Sequence, residues 1–303
     1  MDKKLTTQIK YTLIECVEDS LSLIRKSSKD ILNIKDKNEI IGDNPVTQID
    51  LNSQDLIIKK IKTQFPNHEI LGEEGKQDKI VKSDFLWVID PIDGTKNFIN
   101  QIPFFCVSIA IMYKGEIIGG AVGLPWEETS IIYAMKNEGI NSNFSQKNSQ
   151  ELKNHPVPGI LSFAPTYFNL SYVVKNKFYK NSGELRNFGS AAAEIALVAN
   201  GNAQLALSGY AFCWDFAAAW ILIKESKKSI FYGNMEKNIW EDTNPWRKYY
   251  KDGSYNLETL KKWRGKFFAS NKEIEAFILK NIKPNGRTKT NIFRRFNKFL
   301  FLR

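Results

Sequence analysis

Leu86-Trp87-Val88-Ile89-Asp90-Pro91-Ile92-Asp93-Gly94-Thr95-Lys96-Asn97-Phe98 runs from apolar residues straight into two carboxylates, a glycine and a hydroxyl. Phe85 to Ile89 has the length and composition of a short buried strand. Pro91 and Gly94 are turn residues, so the chain is expected to leave the strand here. Asp90 and Asp93 then sit on a tight loop at a strand end. Two like charges about 4 Å apart repel by roughly 4 kcal/mol at an effective dielectric of about 20. The neighbours offer one Lys and no Arg, so a bound metal ion is the cation expected to join them.

With 303 residues and 43% apolar content, the chain is long enough for one large domain or two packed lobes. No apolar run approaches the roughly eighteen residues needed to cross a bilayer. Met1-Asp2-Lys3-Lys4 leads into mixed polar sequence and not into an apolar signal core. Cys16, Cys106 and Cys213 are an odd set without CxxC spacing, which suggests a reducing cytoplasm. Two His and three scattered Cys argue against a zinc-type site, so a metal here is expected to have oxygen ligands, as Mg²⁺ or Mn²⁺ does. Of the net charge of +10, six units belong to Arg287, Lys289, Arg294, Arg295, Lys298 and Arg303. The basic character is therefore largely a property of residues 284–303, and no nucleic acid is required as a partner.

Apolar positions Ile9, Leu13, Cys16, Val17, Leu21 and Ile24 predict an amphipathic helix over 4–29. Asp50 is a plausible N-cap for a second helix over 51–65. Residues 68–71 form a short strand that delivers Gly72-Glu73-Glu74-Gly75. Phe105–Tyr113 and Glu116–Val122 read as a hairpin turning at Lys114-Gly115. Residues 129–134 and 159–163 are strands, and the polar stretch near 140–156 is a boundary between two packed lobes. A helix is expected over 166–183. Gly189-Ser190-Ala191 opens a helix to about Ala199, followed by a strand over 203–207. Cys213-Trp214-Asp215 starts an apolar helix that ends near Lys224. Residues 232–264 show little period, 266–269 read as a last strand and 272–282 as a last helix.

Asp90-Pro91-Ile92-Asp93-Gly94-Thr95 resembles the first signature of the inositol monophosphatase family. Gly72-Glu73-Glu74, Gly189-Ser190-Ala191 and Trp214-Asp215 match further landmarks in the family's order, and Val46-Thr47-x-x-Asp50 resembles its N-terminal element. The resemblance covers roughly residues 5–282 and implies an α+β fold, a layered αβαβα sandwich over 1–283 with a basic, aromatic tail over 284–303. It implies Mg²⁺-dependent, lithium-sensitive hydrolysis of a small phosphomonoester by a metal-activated water. It also implies a homodimer. Two or three ions would be held by Glu73, Asp90, the carbonyl of Ile92, Asp93 and Asp215, with Mn²⁺ as a substitute. Thr95 and Asp50 resemble the pair that orients the water. Phosphate would rest on Ile92, Asp93, Gly94 and Thr95, and Gly189, Ser190 and Ala191 with Asp215 resemble the substrate wall.

The sequence departs from the family in four places. Ser208 stands where an acid usually contacts substrate hydroxyls. Lys96 replaces a common Thr and looks more like the 3′(2′),5′-bisphosphate nucleotidase and histidinol-phosphate phosphatase branches, which remain the alternatives. Ser226-Lys227 replaces a glycine pair and must make its turn differently. In the tail, Ile292, Phe293, Phe296, Phe299 and Leu300 recur at helical spacing among basic residues. Such a segment fits an anionic membrane surface or a protein partner. A binding protein that works through this tail is the reading from another functional class.

Overall fold

The computed structural model describes residues 2–34, 48–74, 82–126, 130–144, 154–166 and 171–285, with the side chains of 28–34 excepted. The Val46–Thr47 element, the centre of the 140–156 boundary and the tail beyond Asn285 lie outside these residues. Among the described residues no helix is long and apolar enough to cross a membrane.

The first sheet takes β1 (Glu69–Gly72), β2 (Phe85–Asp93), β3 (Cys106–Tyr113), β4 (Glu116–Leu124), β5 (Ser130–Met135) and β6 (Ile140–Ser142) in sequence order. After β7 (Leu161–Phe163) comes β8 (Tyr172–Val174), then β9 (Glu184–Arg186), β10 (Ala203–Phe212), β11 (Ser229–Asn234) and β12 (Ile239–Glu241). The short pair β13 (Tyr250–Lys251) and β14 (Ser254–Tyr255) precedes β15 (Arg264–Ser270) and β16 (Ile282–Pro284). The second sheet has the order β12-β11-β15-β10-β7-β9, and among the described residues β8 and β16 form a separate two-stranded pair. The helices are α1 (Lys3–Ile34), α2 (Gln48–Gln64), α3 (Thr95–Ile99), α4 (Asn176–Tyr179), α5 (Ala191–Asn200), α6 (Cys213–Glu225), α7 (Leu257–Lys262) and α8 (Glu275–Asn281).

Side-chain alternation builds the layers. Trp87, Ile89, Val107 and Ile109 face α1 and α2 through Val17, Leu21, Ile57 and Ile61. Their neighbours Leu86, Val88, Ala110 and Met112 point the other way, onto α5 and α6 and the inner face of the second sheet. Leu205, Leu207 and Phe268 then carry α4 and α8 through Phe178 and Ile278. A sheet buried on both faces needs continuous apolar strands, and the first sheet has them. The arrangement is the α+β, αβαβα sandwich expected from the resemblance. Two glycines of β4 set its tightness. A Cβ on Gly120 would lie 2.9 Å from the Cα and carbonyl oxygen of Ala218 on α6, and one on Gly123 would lie 2.2 Å from Val17 on α1.

Several local expectations are corrected. The first helix runs on to Ile34, and α2 starts at Gln48, so Asp50 lies inside its first turn and is not the cap. Of the helix expected over 166–183, residues 167–170 lie outside the described residues, and the chain from Tyr172 onward forms β8 and the single turn of α4 instead. The ladder that decides this pairs Tyr172 with Pro284 and Val174 with Ile282. After α6, Lys227 makes the turn with a φ of +59° while the Ser226 hydroxyl donates to Ile223 O at 2.9 Å.

His68 shows how the outer core handles a polar ring. It stacks between Phe65 and Phe85 at 4.6 and 4.3 Å, and its Nδ1 accepts the Trp87 indole N–H at 3.0 Å. Burial first, and then the nearby Lys62 ammonium, push its pKa down from 6.5 to about 4. Between those values the unfolded chain binds the extra proton, so stability falls as pH drops from 6.5 toward 4. An NMR titration of the native protein should place the His68 ring midpoint near 4. A midpoint near 6.5 would overturn the assignment.

Candidate active site

The site starts from a register. β1 runs parallel to β2 with Gly72 opposite Ile89, and Glu73 N–H donates to Ile89 O at 3.1 Å. The next residues, Glu73 and Asp90, therefore emerge side by side, and each carboxyl group acts on the other's pKa. In a regular strand Asp90 and Asp93, three apart, would point to opposite faces. The ladder to β3 breaks between them, with Asp90 opposite Ser108 and Asp93 opposite Cys106. Pro91 and Ile92 together oppose only Val107. This bulge changes the side-chain parity and turns both carboxylates to one side. The strand is thus longer than expected and reaches Asp93 through Pro91, with the bulge in place of an early turn.

Asp215 comes from the opposite direction, in the first turn of α6. Its Oδ2 accepts the Phe212 N–H at 2.8 Å and so closes the N-terminus of the helix. One carboxylate oxygen from each of Asp90, Asp93 and Asp215 lies within 4.8 Å of the others. Burial, and then the neighbouring carboxylates, raise the pKa values of Asp90 and Asp215 well above the ordinary range, and Glu73 is pushed up to about 7. Such a set is unfavourable as bare anions, and a hard cation removes the conflict because all the donors are oxygens. The residues present therefore fit a divalent ion of the Mg²⁺ or Mn²⁺ kind.

Asp93 is also held from behind. Its Oδ2 accepts the Ser190 hydroxyl and the Ala192 N–H, each at 2.7 Å, with the Cys106 thiol at 3.8 Å. These donors oppose the upward push of burial on its pKa. The Thr95 hydroxyl lies 2.9 Å from Ile92 O and 3.4 Å from Asp50 Oδ1. Gly94, with φ +95°, separates the bulge from α3. Gly189, at φ +79°, starts the segment that leads through Ser190 and Ala191 into α5. The structure thus gathers Asp50, Glu73, Asp90, Ile92, Asp93, Gly94, Thr95, Ser190 and Asp215. Ser208 sits in β10, where its carbonyl accepts the Tyr172 hydroxyl.

Sequence reasoning missed two supporting residues. Glu194 accepts the N–H groups of Phe188 and Gly189 at 2.8 and 3.2 Å, and Asn97 Nδ2 donates to Phe104 O at 2.6 Å and to Phe188 O at 2.5 Å. The peptide groups before the Gly189 turn are pinned from α5 and from α3. A lone acid in the apolar run Ala191–Ala199 was the available signal for Glu194.

Residues 6–246 match the model of the inositol monophosphatase family. The inositol-1-monophosphatase of Bacillus subtilis is 32% identical over 232 residues, which cover 72% of this chain and 83% of that protein. A fructose-1,6-bisphosphatase/inositol-1-monophosphatase of Thermotoga maritima is 33% identical over 182 residues, 60% of this chain and 68% of that one. In three dimensions, an IMPase from Thermotoga maritima superposes with a TM-score of 0.66 at 24% identity, over 90% of this chain and 96% of that structure, a likeness of fold. The matched residues span the first sheet, the bulge and α6, and so contain every carboxylate described above. The chain belongs to the inositol monophosphatase family.

Proposed function

We propose that the protein is a Mg²⁺-dependent phosphomonoesterase acting on a small polyol or sugar phosphate. The observation that carries this reading is the convergence of Asp90, Asp93 and Asp215 within 4.8 Å beside the Thr95–Asp50 pair. Glu73, Asp90, the Ile92 carbonyl, Asp93 and Asp215 would hold the ions. When bound, divalent ions supply charge neutralisation on the phosphoryl oxygens and acidify water.

The chain's own groups supply the rest. The N–H groups of Gly94 and Thr95 open α3 and suit a phosphate dianion, and Gly94 has no Cβ to keep it away. Thr95 Oγ1 stands between Ile92 O and Asp50 Oδ1. It accepts a proton from the attacking water as its own proton moves to Asp50 Oδ1. Asp50 is 1% exposed, so that proton is held away from solvent until the ester bond breaks. Gly189 and Ala191 form the facing wall.

A second reading, a substrate with a further anionic group, is favoured by exposed Lys96 beside Thr95 and by the uncharged Ser208. Phosphate release from inositol 1-phosphate, adenosine 3′,5′-bisphosphate, histidinol phosphate and fructose 1,6-bisphosphate tests both readings. At least one should be hydrolysed with Mg²⁺ and none in excess chelator. Equal release with and without chelator would sink the metal-dependent reading.

A further inference from the structure

The start of β15 lies against the residue that closes the N-terminus of α6, with Arg264 opposite Phe212 in the ladder. The Arg264 guanidinium carbon sits 4.0 Å over the centre of the Phe212 ring. Phe212 in turn lies flat on Trp214, with ring centres 4.6 Å apart and planes at 10°. The backbone N–H of that same Phe212 donates to Asp215. One aromatic ring therefore separates Arg264 from a residue bonded to the site.

Arg186 and Arg247 pair with Glu184 and Glu116. Exposed Arg264 makes no ion pair among the described residues. Stacking uses one face of the planar guanidinium and fixes its direction, while the N–H donors along its edge stay available for a carboxylate or phosphate. Four residues before Phe212 on β10, Ser208 adds no negative charge that would repel such a group.

We infer that Arg264 is a specificity-determining residue that takes a second anionic group, phosphate or carboxylate, on the phosphomonoester substrate. This rests on the phosphatase reading above. The test compares wild type with Arg264→Gln, and with Arg264→Leu, which keeps apolar contact with Phe212. The probes are fructose 1,6-bisphosphate, 3-phosphoglycerate, inositol 1-phosphate and glycerol 2-phosphate.

Both variants should lower the ratio of kcat/KM for the doubly anionic esters over the other two by about tenfold to a hundredfold, through KM. A response to fructose 1,6-bisphosphate alone, or to 3-phosphoglycerate alone, identifies the group as phosphate or carboxylate. Equal losses on all four esters, or an unchanged ratio, would overturn the inference and leave the phosphatase reading intact. Calorimetric binding of the same four compounds judges Arg264 independently of turnover. If wild type hydrolyses none of them, the polyol and sugar phosphate reading fails, and equal affinity of wild type and Arg264→Gln for fructose 1,6-bisphosphate removes the role of Arg264 as well.

Discussion

Asp93→Asn should lower kcat by about 10³-fold or more, the scale of losing a principal electrostatic contact in the transition state. The reason is geometric as well as electrostatic. Asp93 Oδ2 already accepts Ser190 and Ala192 at 2.7 Å, so its other oxygen is left for the cluster. An asparagine can satisfy those donors only by turning its NH₂ toward Asp90 and Asp215. That places a donor where a cation is proposed. The opposite rotamer sets NH₂ against two N–H or O–H donors. Both orientations lose one function. The carboxylates also repel one another and are raised in pKa by burial, so removing one charge relieves the metal-free protein. Asp93→Asn should therefore melt no lower than wild type in chelator while its turnover disappears. Near-normal turnover in Mg²⁺ would refute the role assigned to this carboxylate. Ser190→Ala, which keeps the charge and loses its orientation, should fall between wild type and Asp93→Asn.

The second large effect is expected at Gly94, where charge plays no part. A φ of +95° is open to glycine and costs other residues about 1–2 kcal/mol. A Cβ there would also lie 3.1 Å from the Ser190 Cβ, 3.2 Å from Phe104 O and 3.3 Å from the Phe105 Cα. Two of these neighbours are backbone and cannot swing aside. Gly94→Ala must therefore shift the start of α3, and with it Thr95. A misplacement near 1 Å at a reacting group costs about a hundredfold in rate. Loss of turnover by that order, with divalent-ion affinity less affected than in Asp93→Asn, is the expected pattern. Unchanged kinetics would mean that phosphate does not approach the backbone at this point.

The parts of this molecule legible in its sequence are those fixed by local chemistry. The apolar run Phe85–Ile89 is a strand, and the Lys114-Gly115 turn is real, with φ values of +49° and +79°. The small residues after Ser190 do open a helix. What stayed hidden depends on partners far along the chain. Tyr172–Val174 is made of strand formers but is only three residues long, too short to stand out by itself, and the strand that fixes it lies at Ile282–Pro284. The bulge at Pro91–Ile92 was equally hidden, since spacing alone cannot show that β3 advances by fewer residues than β2. The site shows the same division. Its carboxylates were visible as a motif, whereas Glu194 and Asn97 became visible only when α5 and α3 were brought against the Phe188 peptide.

The Gly120 contact has a consequence for genetics. Ala218 lies three residues beyond Asp215 on the same helix, and Gly120 touches its backbone with no side chain between them. Any larger residue at Gly120 lifts α6 from the sheet and carries Asp215 with it. A loss-of-function screen would therefore recover lesions at Gly120 alongside those at the carboxylates. They would look like catalytic alleles, although no substrate comes near the residue that changed.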